Sequence, residues 1–358
     1  MINKMRFNFV EIKRQKESIR IQQKTHLIID ATGVGFGGLR YFLDKVIVNI
    51  SRDENLCVHV IGSDLDSNQV NVTNRWKLLF YSAYKLIKLR KTPNSILFSI
   101  SPSICSLAWF GKPIIQNIND LQSFLPKVKI NLFKRAYRWA VYTLVLRIAS
   151  GITSISYETK GKIPELFRSK KKINVIYLSG ELSSAQKLES YDFLIIAHSR
   201  HKRANYILEL LSHERFRDKS VAILGREYSP TKMLTCGSFI KNVQTFSNLS
   251  DDDYADLFYS SKSIVMFSEI GSEGFGLPIA QAIYAKKNSF ISQDPALKEI
   301  SNGCSLVLIN DVNADRNTLA HLPREMRSPE NVFMTRSWKD VADDFLRYIL
   351  MIYQDSNK

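Results

Sequence analysis

Ser272-Glu273-Gly274-Phe275-Gly276-Leu277-Pro278 stands directly after the apolar run Ser263 to Phe267 and opens the amphipathic stretch Ile279 to Ala285. A strand, a glycine turn and a helix start are thereby stacked end to end. Two glycines let the backbone approach a neighbour closely, and the unpaired N–H groups of a first helical turn can receive a negative charge or a hydroxyl. Glycine spacing alone fits a tight βα turn with no ligand equally well.

Outward from this segment, short apolar runs alternate with longer amphipathic stretches in both directions, the pattern of βα units around parallel sheets. Strands are expected in the first half near His26 to Asp30, Cys57 to Ile61, Ser95 to Ser99, Pro113 to Asn117, Gly151 to Ser154 and Asn174 to Tyr177. Helices are expected near Gly38 to Ile50, Arg75 to Lys91, Lys129 to Ala149 and Glu158 to Phe167. A second series of strands begins at Phe193 to Ala197 and continues through Val221 to Leu224, Val243 to Phe246, Ser263 to Phe267, Ser289 to Ser292 and Ser305 to Leu308. Its helices are read near Ala204 to Leu211, Asp251 to Ser260, Gly276 to Ala285 and Trp338 to Tyr353. Between the two series Ser179 to Ala185 is polar, small and aperiodic, and reads as a linker. With 358 residues, beyond what a single core usually spans, two units are expected. The expected fold class is α/β, with two Rossmann-like domains whose parallel sheets face each other across a cleft, and a ligand beyond the carboxyl ends of the strands.

The formal charge of +16 is unevenly spread: residues 1 to 185 hold 29 basic and 12 acidic side chains, and the remainder 21 and 22. Basic residues of the first half are interleaved with aromatics in Arg75-Trp76-Lys77-Leu78-Leu79-Phe80-Tyr81 through Lys85, Lys88, Arg90 and Lys91, and again in Lys134-Arg135-Ala136-Tyr137-Arg138-Trp139. Such a face suits an anionic membrane surface, with nucleic-acid phosphate and a merely solvated basic face as the rival readings. No recognisable nucleic-acid module accompanies it, and none is expected as a partner. The four cysteines lie far apart with no CxxC pair, which argues against a zinc ribbon or a disulfide framework and fits a reducing cytoplasm. Residues 1 to 26 are basic without the apolar centre of a secretory signal, and the apolar stretch Trp139 to Leu146 is ended by Arg147, so no segment is expected to span a bilayer.

The segment Glu273 to Pro278 resembles the donor-binding motif of retaining glycosyltransferases of family 4, where Glu-Gly-Phe-Gly-Leu-Pro is followed by Glu-Ala. The family's succession of elements is similar to this chain from Ile29-Asp30 to Ser337-Trp338 in a final helix. The resemblance implies the GT-B fold: a basic N-terminal extension at 1–24, an acceptor domain at 25–182, a nucleotide-sugar domain at 183–336, and at 337–358 a helix crossing back to the first domain. It further implies a metal-independent hexosyltransferase without cofactor, taking a nucleotide sugar as substrate.

The same resemblance supplies the candidate site. Glu273 and Asn119 would orient the sugar and Lys202 would hold the diphosphate. Gly37, Gly38, Ser199, Arg200, Gly274, Phe275, Gly276, Leu277 and Gln281 would line the donor site. Gly37 and Gly38 belong to the loop Gly33-Val34-Gly35-Phe36-Gly37-Gly38-Leu39-Arg40-Tyr41 after the first strand, where main-chain amides can meet a diphosphate. Ser199-Arg200-His201-Lys202 stands where the family commonly has proline-His-Lys-Asn, and a fixed ammonium there stabilises the charge left on a departing nucleotide. Asn119-Asp120-Leu121 stands where the family carries His-Asp-Leu, so an amide replaces an imidazole and the capacity to carry a proton near neutral pH is lost. Asp120 fits loop capping as well as chemistry. Gln281 replaces the Glu that holds the ribose hydroxyls, and Lys286 or Lys287 falls where a Gly usually ends the helix. Combined with the basic face, the resemblance implies transfer of a hexose, with mannose a first guess, to a lipid-linked or polysaccharide acceptor at the inner membrane face of a bacterium. This is the setting of surface-polysaccharide, including lipopolysaccharide, biosynthesis. The rival readings are a catalytically impaired scaffold of the same fold, suggested by Asn119 and Gln281, and a sugar-nucleotide epimerase.

Overall fold

The computed structural model describes residues 24–32, 38–62, 75–124, 131–183, 190–198, 200–225, 240, 242–321 and 335–357. The first half forms a six-stranded sheet from β1 (Thr25–Asp30), β2 (Leu56–Ile61), β3 (Ser95–Ser99), β4 (Ile114–Ile118), β5 (Gly151–Ser154) and β6 (Ile173–Val175), in the order β2-β1-β3-β4-β5-β6. The second half forms another from β7 (Tyr191–Ile196), β8 (Ser220–Leu224), β9 (Asn242–Phe246), β10 (Ser261–Met266), β11 (Asn288–Ile291) and β12 (Leu306–Val307), in the order β12-β11-β10-β7-β8-β9. Every pairing in both sheets is parallel. Parallel strands need crossovers, and helices therefore cover the faces, which is why β3, β4 and β5 are buried along their whole length.

The crossover helices of the first half are α1 (Gly38–Ile50), α2 (Arg75–Leu89), α3 (Leu132–Ile148) and α4 (Tyr157–Phe167). Those of the second are α5 (Ala204–Leu211), α6 (Asp251–Tyr259), α7 (Leu277–Tyr284), α8 (Pro295–Ser301) and α9 (Val312–Ala320), and the chain ends in α10 (Trp338–Ser356). Helices α8 and α9 were not anticipated from periodicity. Each is short and starts at an aspartate cap, Asp294 and Asp311, whose carboxylate accepts from amides of the first turn. Among the described residues no helix is long and apolar enough to cross a membrane.

In the second sheet the direction of winding reverses between β7 and β10, which are hydrogen-bonded neighbours. That reversal opens a crevice at the carboxyl ends of these two strands. In the first sheet the corresponding reversal lies between β1 and β3.

Helix α10 begins with a capping box, Ser337 and Asp340, and buries Trp338, Val341, Ala342, Phe345 and Ile349 along one stripe. It returns to the first half, where Phe345 meets Phe42 of α1 and Phe98 of β3 at centroid distances of 5.5 and 5.4 Å. The start of the expected linker is itself buried: Ser179 donates to the Arg336 carbonyl, and the Glu181 carboxylate accepts from the Trp338 amide at the start of α10. A Cβ on Gly180 would lie 2.2 Å from the Ala280 carbonyl, so only glycine passes there. The two chain crossings between halves are thus tied to each other.

The lysines after α7 have a structural reading. Lys286 takes a left-handed conformation, φ 55°, and donates to the Ile283 carbonyl while Lys287 donates to that of Ala282, a Schellman ending that favours glycine at Lys286. A non-glycine residue there costs about 1 kcal/mol. Lys286→Gly is expected to raise unfolding stability by about 0.5 kcal/mol in urea denaturation, the unfolded-chain entropy of glycine offsetting the remainder.

Candidate functional site

Because β7 and β10 are adjacent and parallel, the segments that leave their carboxyl ends meet. Lys202, in the short 3₁₀ turn Arg200–Lys202 after β7, donates to Glu273 Oε1 at 2.7 Å, although 71 residues separate the two in sequence. The same carboxylate oxygen accepts from Ser268 Oγ at 2.7 Å and lies 3.2 Å from His201 Nε2. The amide of Gln122, which follows β4 in the first half, donates to His201 Nδ1 at 2.9 Å. That bond leaves the imidazole Nε2 to donate to Glu273. The network therefore runs unbroken from the first half into the second.

Burial pushes the Glu273 carboxyl up, but the Lys202 ammonium and the hydrogen bonds from His201, Lys202 and Ser268 outweigh it and hold the group at about 2. Glu273 is ionised throughout the neutral range. The loop that carries it is held by Asp294, which is fully buried, accepts with Oδ2 from the amides of Gly271 at 2.7 Å and Glu273 at 3.4 Å, and caps α8 with Oδ1.

The glycines of the motif have separate reasons. A Cβ on Gly274 would lie 1.9 Å from the Asn119 carbonyl oxygen, so the loop after β10 touches the loop after β4 backbone to backbone. The Gly274 carbonyl accepts from Ser156 Oγ at 2.6 Å and Thr159 Oγ1 at 3.2 Å, both at the start of α4 after β5. Gly276 has φ 88° and its side-chain position is filled by Leu297 at 2.3 Å. As the N-cap of α7 it offers no side-chain acceptor. Pro278 has no N–H, and the amides of Ile279 and Ala280 turn back to the Gly276 carbonyl. The Leu277 amide is thus the orphan donor of this helix start, and the Leu277 side chain reaches the other half: a Cβ on Gly38, first residue of α1, would lie 3.8 Å from Leu277 Cδ2. Two helix amino ends consequently approach each other at the junction.

Other sequence-predicted residues are placed differently. Phe275 is buried and packs toward Tyr177, so its side chain holds the halves together. The carboxamide of Asn119 is turned into its own sheet, donating to the Ile100 carbonyl at 2.7 Å and accepting from Asn117 at 2.9 Å. Gln281 is buried, with Oε1 accepting from the Tyr254 hydroxyl at 2.7 Å. Gly37 and Ser199 lie outside the described residues, as does the side chain of Arg200.

Residues that sequence reasoning did not place in the site are His201, Ser268, Gln122 and Asp294, while Asp120 was left between loop capping and chemistry. Asp120 is exposed as a residue, yet desolvation of its carboxyl by the surrounding protein and the Glu273 charge push it above the usual range, with the Gln122 amide, His201 and Arg138 acting the other way. Glu299 of α8 closes one flank, accepting from the amides of Tyr157 and Glu158 at 2.7 and 2.8 Å and so capping α4 of the opposite half.

The architecture is the GT-B fold. No family model matches the chain, and no curated protein matches it in sequence. Among solved structures, a sucrose-phosphate synthase from Thermosynechococcus elongatus is similar with a TM-score of 0.66 and 12% identity over 93% of this chain and 97% of that one. HepE from Anabaena, in complex with UDP and glucose, gives 0.62 and 12% over 92% and 97%. WaaG, a glycosyltransferase involved in lipopolysaccharide biosynthesis, gives 0.59 and 12% over 92% and 98%. At these identities the likeness is one of fold.

Removing the Lys202 ammonium leaves the Glu273 carboxylate buried with less compensation. Lys202→Ala is expected to lower unfolding stability by about 3 kcal/mol at neutral pH. The Glu273 carboxyl is held below its unfolded value, so its contribution is present above about pH 5 and is lost as pH falls toward 2. The stability gap between the native chain and Glu273→Gln should therefore be constant from neutral pH to about pH 5 and shrink below it, as read by urea denaturation across pH.

Proposed function

We propose that this protein is a glycosyltransferase that moves a hexose from a nucleotide sugar to a lipid-linked or polysaccharide acceptor with retention of anomeric configuration. The observation that carries the reading is the Lys202–Glu273 pair, set beside the uncapped start of α7 where the carboxyl ends of both sheets meet. Nucleotide-sugar chemistry asks for this combination. A cation and a helix amino end suit a diphosphate, and an ionised carboxylate nearby suits sugar hydroxyls. The sequence resemblance to family 4, the presence of UDP and glucose in HepE and the part WaaG takes in lipopolysaccharide biosynthesis support the same class.

In the proposed reaction the donor diphosphate takes the Lys202 ammonium and the Leu277 amide, while Glu273 and Asp120 accept from sugar hydroxyls. The bond from the anomeric carbon to the phosphate oxygen breaks, and the acceptor oxygen bonds to the same face of that carbon. Its proton passes to the departing phosphate oxygen, whose growing charge Lys202 offsets. Asn119, with its carboxamide bound to Ile100 and Asn117, supports the loop and leaves Asp120 as the polar group offered to the sugar from the first half.

A thermal-shift screen of UDP, GDP, ADP and dTDP sugars tests the reading. One nucleotide series should stabilise the protein, and Lys202→Ala should abolish that shift and cut turnover by about a hundredfold or more. Should every donor leave the melting temperature and its own concentration unchanged, the impaired-scaffold reading replaces this one, as the internal commitments of Asn119 and Gln281 would suggest. Turnover of a donor without acceptor would indicate the epimerase instead.

The acceptor side is proposed to work at an anionic membrane. Phe80, Tyr84 and Ile87 of α2 are exposed and fall on one helical stripe with Lys77, Lys88 and Lys91 close by. On α3, Phe133, Tyr137 and Leu144 form a second exposed stripe beside Lys134, and Phe133 is 86% exposed. Both helices pack on the 3₁₀ segment Ile104–Trp109, where Ile104 and neighbouring Phe110 are exposed as well. Aromatic side chains at such density beside lysines match an interfacial surface. Flotation with vesicles containing phosphatidylglycerol should recover the protein. The combined Phe80→Ser and Phe133→Ser substitutions should release it at unchanged melting temperature, and vesicles of phosphatidylcholine alone should not bind it.

A further inference from the structure

At the amino ends of β1 and β2, the opposite end of the first sheet from the junction, two histidines and a cysteine share one face. The parallel register sets His26 beside Cys57 and Ile28 beside His59. Strand alternation puts Cys57 and His59 on the face where Ile28 and Ile61 are buried with Trp109. His26 Nδ1 is 3.1 Å from His59 Nε2, and Cys57 Sγ is 3.4 Å from the same nitrogen. The three ligand atoms all lie within 4.8 Å of one another, and each residue is partly exposed. The ring planes of His26 and His59 are within 16° of parallel with centroids 5.4 Å apart, so the two nitrogens meet across a single proton. Sequence spacing shows no metal set because His26 and His59 are 33 residues apart, and only the strand register unites them.

We propose that His26, Cys57 and His59 form a binding site for a borderline-soft divalent metal ion, zinc foremost, with a fourth position open to solvent. With Zn–N near 2.0–2.1 Å and Zn–S near 2.3 Å, tetrahedral ligands stand roughly 3.4 Å apart for two nitrogens and about 3.6 Å for nitrogen and sulfur. The two spacings from His59 Nε2 fall close to these values, and the remaining pair, His26 Nδ1 and Cys57 Sγ, lies within 4.8 Å, so side-chain rotation can close the set on an ion. Small rotations of the two rings bring both lone pairs onto the ion. The imidazole proton between them moves to its ring's outer nitrogen, and the Cys57 thiol releases its proton to solvent, one per ion bound. Two nitrogens and a thiolate select zinc over magnesium or calcium, which prefer oxygen. Since β2 is the edge strand, the ion would fasten that edge to β1. The site shares no residue with the Lys202–Glu273 network and stands or falls apart from the transferase reading.

The full chain, stripped with a chelator and titrated with Co²⁺, should develop a near-ultraviolet thiolate-to-cobalt band that saturates at one ion per chain and is displaced by Zn²⁺. Cys57→Ser should remove the band, and His59→Asn should weaken binding by about tenfold or more, with the metal-free melting temperature recorded as a folding control. Independently of any variant, one equivalent of Zn²⁺ should slow alkylation of Cys57 by iodoacetamide, read by peptide mass spectrometry. Absence of a stoichiometric cobalt band, its persistence in Cys57→Ser, or an alkylation rate indifferent to Zn²⁺ overturns the proposal.

Discussion

A side chain at position 274 has no room, because its first carbon would stand 1.9 Å from the carbonyl oxygen of Asn119. This single backbone approach fixes how the carboxyl ends of the two sheets meet, and the surrounding contacts depend on it. Once the loop after β10 touches the loop after β4, the Gly274 carbonyl comes within reach of Ser156 and Thr159, and Glu299 reaches the start of α4. These bonds join groups that would otherwise each be an unsatisfied helix end or loop carbonyl, so the halves complete one another's backbone hydrogen bonding. The glycine of the motif therefore serves the junction first, and through the junction it brings Glu273 opposite Gln122 and Asp120.

The charge arrangement follows from the topology of the second sheet. A winding reversal between β7 and β10 leaves two loops free at neighbouring strand ends, and those loops carry Lys202 and Glu273. A carboxylate this enclosed tolerates its charge only because the ammonium, a serine hydroxyl and an imidazole all point at it. Under the proposed reaction the ammonium has to turn from the carboxylate to a diphosphate. The Ser268 and His201 bonds keep Glu273 ionised while that exchange takes place, so the pair works as a preorganised state with no need for either group to change its proton.

The strands and long helices were legible in the sequence because the buried strands are short apolar runs and the long helices carry a helical period. The strands of the first sheet and the buried stripe of α10 needed only local pattern. Helices α8 and α9 were not legible: seven and nine residues are too few for a helical period to declare itself, and their caps, Asp294 and Asp311, read as ordinary loop aspartates. Glu273 and Lys202 were singled out by a motif, and His201 stood beside Lys202 in the matched segment without a role, but nothing in the sequence could bring in Ser268 or Gln122, whose roles arise only where three separate loops converge. Ser179 and Gly180 misled in the opposite sense. Small polar residues usually mark exposed linkers, yet here smallness is required by the Ala280 carbonyl and the polar hydroxyl is used on Arg336.

The two departures from the resembling motif have a common physical form. Asn119 and Gln281 are amides where an imidazole and a carboxylate would be expected, and each spends its carbonyl oxygen on an internal donor, Asn117 and the Tyr254 hydroxyl respectively. A carboxylate at position 281 would be buried beside only a neutral hydroxyl among the partners seen here, at a desolvation cost that an amide avoids. The neutral substitutions thus make these two positions cheap structural fasteners. Among the described residues, Glu273 with its partner Lys202 and Asp120 of the first half carry charge at the meeting of the two halves, and Glu273 already presses the Asp120 carboxyl upward. Two carboxylates that repel each other across a gap are relieved by a ligand that brings hydroxyl donors to both. Under the proposed reaction the sugar brings such donors, and the diphosphate draws the Lys202 ammonium from Glu273.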